Sequence, residues 1–281
     1  MRNLISANFA KLKKDKFFWF SFFLMMACSM MQLLAPQIEA IQDPRFVIPA
    51  LDALFVQYYP LMGGLCAILT GLFLGKEYSD GTMRNKVIAG HSRAVVYLSN
   101  FAVSTAAGWL LNLAWIMPML FIGIPCYGMF ANPLAIASYT LVSLFMIASL
   151  TAVFTAFSML LPNKTNASIA IICTFMFALM VGSSCYNQLC EPEIVQGGDI
   201  VVDEGGNVSI EKMEPQYNPA YIGGNTRKIM TVVRDALPTG QAVQMANEEP
   251  IDLPAMLLYS SAIILLSTGT GIAVFCKKDL K

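Results

Sequence analysis

The chain has 281 residues, of which 56% are hydrophobic and 13% charged, with formal net charge zero. A soluble domain carries roughly twice that charge, so the chain reads as an integral membrane protein. Neutrality leaves no global field to attract nucleic acid, and what matters is where the charges sit.

Residues 1–16 open the chain with a basic prelude. Leu4, Ile5, Phe9 and Leu12 recur near helical spacing, and Lys11, Lys13, Lys14 and Lys16 cluster at the end. That pattern suits an amphipathic helix lying on the bilayer surface. The apolar run behind it is too long for a secretory signal core and has no small-residue cleavage site.

A span needs about 20 apolar residues. Six stretches meet that requirement: 17–36, 55–75, 94–125, 134–161, 167–184 and 253–276. The expected fold class is therefore an all-α polytopic membrane protein, one domain over 1–281. Pro118 and Pro125 should bend the third span near its end. The second span closes on Gly71 and Gly75, a pair that permits close helix packing. Lys76 follows, but the spacing is one residue short of a phosphate loop and Glu77 stands where Ser or Thr belongs. No Asp, Glu, Lys or Arg falls inside the six stretches so drawn. Proton- and sodium-coupled carriers use such residues, so the pattern argues against one. Gln32, Asn100 and Asn112, in or near spans, read as ties between helices.

Residues 77–93 form a polar island between the second and third spans. Ser79 or Asp80 is placed to cap a short helix, with Asp80 at the favourable end of its dipole, and Gly90 to end it. Met83, Val87 and Ile88 fall on one face of it, and Arg84, Asn85 and Lys86 point away from that face. His91, the one histidine, lies here too, so a His-based triad or zinc site lacks material. The seven cysteines show no metal-ligand spacing, and Cys185 and Cys190 are read as free thiols by default.

Residues 185–252 are too long for a plain connector. Ile200–Val202 and Val208–Ile210 flank a Gly-rich turn and read as a hairpin. Ile229, Val232, Val233 and Ala236 make an apolar helical face that Leu237-Pro-Thr-Gly breaks, a piece expected to dip into the membrane boundary. With both termini, 76–93 and 162–166 on the cytoplasmic side, thirteen of eighteen Lys and Arg lie inside. That puts 185–252 outside, where its acids Asp199, Asp203, Glu204, Glu211 and Glu214 would attract cationic peptides.

Three runs carry a resemblance. They are GKEYSDGTMRNKVIAGHSR from Gly75 to Arg93, Leu237-Pro-Thr-Gly-Gln before the last span, and the Phe9-Ala-Lys-Leu-Lys opening. With six spans and a basic start, the chain resembles the permease subunit of bacterial type 2 ATP-binding-cassette (ABC) exporters, of the bacitracin-resistance and lantibiotic-immunity kind. The resemblance implies a cell-membrane permease that exports a peptide, antibiotic or lipid-like substrate and is not itself an enzyme. It implies a second permease, identical or related, and a separate ATP-binding subunit that holds ATP and Mg; this chain would bind no cofactor. The polar island would be the coupling helix that docks on the ATPase. Its residues would be Glu77, Asp80, Gly81, Thr82, Met83, Arg84, Asn85, Lys86, Val87 and Ile88. The alternative from another class is a sensor or immunity protein that binds an antimicrobial peptide outside and transports nothing.

Overall fold

The computed structural model describes residues 2–161, 163–195, 198–202, 208–212 and 215–278. Among them, six helical stretches are long and apolar enough to cross a membrane: Lys16–Gln42, Leu51–Ser79, Arg93–Tyr127, Pro133–Leu160, Lys164–Cys190 and Leu253–Lys277. The protein is an all-α polytopic membrane protein with small β ribbons.

Helix α1 (Arg2–Lys14) carries a buried stripe at i, i+4 and i+8, made of Leu4, Asn8 and Leu12. Asp15 separates it from α2 (Lys16–Gln42), because its carboxylate accepts the Phe18 N–H at 2.9 Å and caps the new helix. Helix α2 runs through Pro36, where the sequence suggested an end, and stops at Gln42.

The second span begins earlier than expected, with α3 (Leu51–Val56), and continues as α4 (Tyr59–Ser79). Asp52 enters α3 as a buried carboxylate. It accepts the Ala131 and Asn132 N–H groups at 2.8 and 3.0 Å, which fastens the link between spans three and four to the head of span two. The other end overruns as well: α4 continues four residues past Gly75 to Ser79 and takes Glu77 into the helix. The glycine pair lies against the fifth span, α9 (Lys164–Cys190). A Cβ at Gly75 would come 2.7 Å from Lys164 Cγ, and one at Gly71 would come 3.2 Å from Ser168 Oγ. Small residues here let the two backbones meet.

After α5 (Thr82–Ile88) comes α6 (Arg93–Pro118), capped by Ser92. Pro118 offers no N–H to the ladder, and the chain widens into a π-helical turn, Met119–Gly123, before α7 (Ile124–Tyr127). This is the physical form of the bend expected between Pro118 and Pro125. Asn132, Asn163 and Asp252 cap α8 (Pro133–Leu160), α9 and α12 (Leu253–Lys277) with their side chains.

Beyond α9, β1 (Ile194–Val195) pairs with β4 (Gln216–Tyr217). Between them β2 (Gly198–Val202) pairs antiparallel with β3 (Val208–Lys212), Ile200 opposite Ile210. The expected turn, residues 203–207, and Glu214 lie outside the described residues. Helices α10 (Gly224–Ala236) and α11 (Pro238–Ala246) follow, separated at Leu237. On α10 the apolar face expected at the membrane boundary is left uncovered by the rest of the chain at Ile229 and Val232. The piece that enters the bundle is α11, with Pro238, Thr239, Gly240, Gln241 and Ala242 all buried. Its approach to α9 is close: a Cβ at Gly182 would sit 2.8 Å from the Gly240 nitrogen. Gln241 and Ser260 bond at 3.1 Å and hold α11 to α12.

The second span sits at the centre, with the third and fourth against it. Asn112 joins them near the other end, donating to Ser143 at 3.1 Å and accepting from Tyr58. Spans one, five and six leave most of their surface uncovered in the single chain.

Candidate functional site

The end of span two is built around a buried carboxylate. Glu77 is 1% exposed, a state that a carboxylate tolerates only when paired and hydrogen-bonded. Its partner is Lys86 of α5, whose Nζ lies 2.7 Å from both Oε atoms. Asn100 of α6 donates to Oε2 at 3.0 Å. Lys86 also donates to Asn8 Oδ1 at 2.8 Å, and Asn8 donates in turn to Asn100 Oδ1 at 2.6 Å and Ser99 Oγ at 3.3 Å. Lys11 reaches Glu77 from the exposed side, at 3.1 Å, and Thr82 at 3.3 Å. Four elements (α1, α4, α5 and α6) thus meet on one polar knot. Burial holds the Lys86 amine below the usual lysine value, with the Glu77 carboxylate pulling the other way.

An apolar cluster lies beside the knot. Met83 is 1% exposed and packs with Leu4, Val96, Tyr97, Met159 and Phe275, and Val87 lies against them. The end of α12 closes this cluster. Arg93 donates to the Cys276 carbonyl at 3.0 Å and to the Lys278 carbonyl, so its guanidinium serves the last turn of the helix. Lys278 Nζ lies over the Tyr78 ring at 4.5 Å and donates to the Tyr78 hydroxyl at 2.6 Å and the Met159 carbonyl at 3.1 Å. Burial lowers the Lys278 amine from its usual value.

Of the ten residues singled out in the sequence, Glu77, Thr82, Met83, Lys86 and Val87 turn inward, Gly81 is half-buried, and Asp80, Arg84, Asn85 and Ile88 are exposed, Ile88 at 72%. Ile88 was expected on the face of Met83 and Lys86 on the opposite one; in the structure Lys86 turns inward with Met83 and Ile88 does not. Neither Ser79 nor Asp80 caps α5. Gly81 stands at its N-cap with φ of +64°, Asp80 ends α4, and the Ser79 hydroxyl bonds back to the Gly75 carbonyl. Gly90, at φ of +90°, takes the left-handed turn after α5. A groove of about 400 Å³ runs between α1 and α5, lined by Leu4, Ala7, Asn85 and Ala89, with His91 at its edge.

Sequence reasoning placed Asn100 among the helix ties but missed Asn8, Lys11, Arg93 and Lys278. Asn8 had a signal, since it occupies the middle of the Leu4–Leu12 stripe where an apolar residue was due. Among the described residues no group of three or more His, Cys, Asp or Glu is arranged to hold a metal ion, and Cys185 and Cys190 are free thiols on α9. The knot's chemistry is positional: it fixes a short helix rigidly to two spans. The sequence matches no known family model and no curated protein, so this geometry must carry the functional reading.

Proposed function

We propose that the chain is the membrane-spanning permease of a type 2 ABC exporter in a bacterial cell membrane. It works as half of a permease pair, with both termini in the cytoplasm and residues 191–252 outside. A separate subunit hydrolyses ATP with Mg, and the cargo is a peptide, antibiotic or lipid-like molecule. One observation carries the reading: α5 is rooted on one side and bare on the other. Lys86 and Met83 lock it to spans two and three, while Arg84 and Ile88 are exposed and Asn85 is open to solvent at the groove beside α1. A short helix has little stability of its own and moves with whatever holds it. A partner that grips the bare face therefore displaces spans two and three together, as an alternating-access step requires.

The test is to search the genes beside this one for an ATP-binding chain with a phosphate-binding loop, co-express the two and purify through the permease. The pair is expected to co-purify and to hydrolyse ATP. Ile88→Asp with Arg84→Ala should insert and melt normally yet lose the ATPase, since substitutions at exposed sites usually cost under about 0.5 kcal/mol of stability. Retention of a fully active ATPase by this variant would sink the coupling role of α5. Orientation has its own check. In a variant with the seven native cysteines replaced, Asn225→Cys should react with an impermeant maleimide on intact cells, and Asn85→Cys only after permeabilisation. The opposite pattern would invert the topology and remove α5 from the cytoplasm.

A further inference from the structure

A second concave site lies at the α1–α4 junction and shares Lys11 with the α5 groove. It is a pocket of about 150 Å³ lined by Lys11, Lys14, Asp15, Lys76, Asp80 and Phe73, with Glu77 behind. The lining carries three ammonium groups and three carboxylates, and the balance tips positive through Lys86 of α5, which pairs with Glu77 from outside the pocket. Glu77 is already matched by Lys86, which leaves Lys11 as a surplus cation. Among the described residues Lys14 and Lys76 have no ion-pair partner, and both are exposed. Asp15, which also accepts the Phe18 N–H, and Asp80 at the exposed rim offset two of the three lysines. Three lysines from two elements thus line one hollow with a surplus of one positive charge once Glu77 is assigned to Lys86.

The level of the hollow selects the ligand. It opens where span one starts at Lys16 and where the apolar run of span two ends at Lys76, so it lies at the hydrocarbon boundary. Within one turn of Lys16 on α2, Trp19 is 41% exposed and donates its indole N–H to the Lys13 carbonyl. A tryptophan so placed marks the headgroup level. Phe73 gives the pocket an apolar wall on the membrane side. Basic pockets between helix ends at this height are suited to anionic headgroups.

We propose that this pocket binds the phosphate of an anionic phospholipid, held by Lys11, Lys14 and Lys76. The bound lipid pins α1 to the end of α4. No ATPase enters the argument, so the site stands or falls independently of the exporter reading.

The test is native mass spectrometry of the full chain released from detergent, with phosphatidylglycerol and phosphatidylcholine added as probes. The wild type is expected to keep one phosphatidylglycerol at an activation energy that strips phosphatidylcholine. Lys14→Gln with Lys76→Gln should hold that lipid about 30-fold more weakly, the effect of two lysines at ordinary strength toward an anionic leaflet. Both residues are exposed and outside the Glu77 knot, so an unchanged melting curve shows that the variant is folded. Lys13→Gln with Lys16→Gln removes the same charge from the same stretch but outside the pocket, and should keep the lipid. Equal loss in both variants would make the surface diffusely basic and overturn the site, as would unchanged retention in the first. Displacement of the lipid by millimolar inorganic phosphate would show a soluble-anion site and overturn the lipid assignment.

Discussion

Glu77→Ala is expected to destabilise the protein by about 3–5 kcal/mol, because it strips a buried ammonium of its counter-charge. Lys86 would keep only Asn8 of its partners, and Asn100 would lose the acceptor for its amide N–H. Lys86→Met should also be costly, since it leaves the carboxylate facing Lys11, which is 41% exposed and screened by solvent. The decisive measurement is the double variant in a detergent-unfolding titration. If the two groups act as a pair, Glu77→Ala with Lys86→Met costs less than the sum of the singles by about 1 kcal/mol or more. Strict additivity would show that the contact carries no coupling and that α5 is held by Met83 and its neighbours alone.

Met83→Asp has the other large expected effect, of a different kind. On the resemblance to an exporter permease, Met83 would be an anchor on the ATPase, in which case aspartate would spare the fold and abolish docking. In the structure Met83 is filled in by the chain's own Leu4, Val96, Tyr97, Met159 and Phe275. Aspartate there places an unpaired charge in an apolar cluster and should cost at least about 3 kcal/mol. The melting temperature would fall by roughly 10 °C for a protein of this size. Ile88→Asp, one and a half turns away and 72% exposed, should leave the melting temperature almost unchanged. Equal melting temperatures for the two variants would mean that α5 is not packed as described.

The contrast between these two residues shows where the sequence was legible. Six spans could be read because a bilayer demands long apolar runs, and no tertiary contact is needed to see them. Their ends could not, because polar residues enter a helix when something distant compensates them. Glu77 belongs to α4 only because Lys86 and Asn100 neutralise and bond it, and hydropathy carries no trace of that. Asp52 joins the second span for the same reason, through backbone groups of Ala131 and Asn132. The error within α5 was of another sort. At about 100° per residue, positions 83, 86 and 87 share a face and position 88 lies well off it. Strict spacing grouped Lys86 with Met83 and Val87. Chemical type was allowed to override it, and lysine was sent to the opposite face while isoleucine was drawn onto this one. Asn8 was lost the same way, as a polar residue on a stripe whose position was right.

The clasp made by Arg93 on the end of α12 also has a consequence for biosynthesis. Arg93 and Phe275 are 182 residues apart in the chain. At ordinary rates of translation, roughly 10–35 s pass between the synthesis of one and the other. Through that interval Leu4, Met83, Val96 and Tyr97 are all made, while the residue that seals them, Phe275, is not. The nascent chain therefore carries an open apolar seam beside α5 until its sixth span arrives, and chains stalled before that point display the unsealed seam to proteases and chaperones.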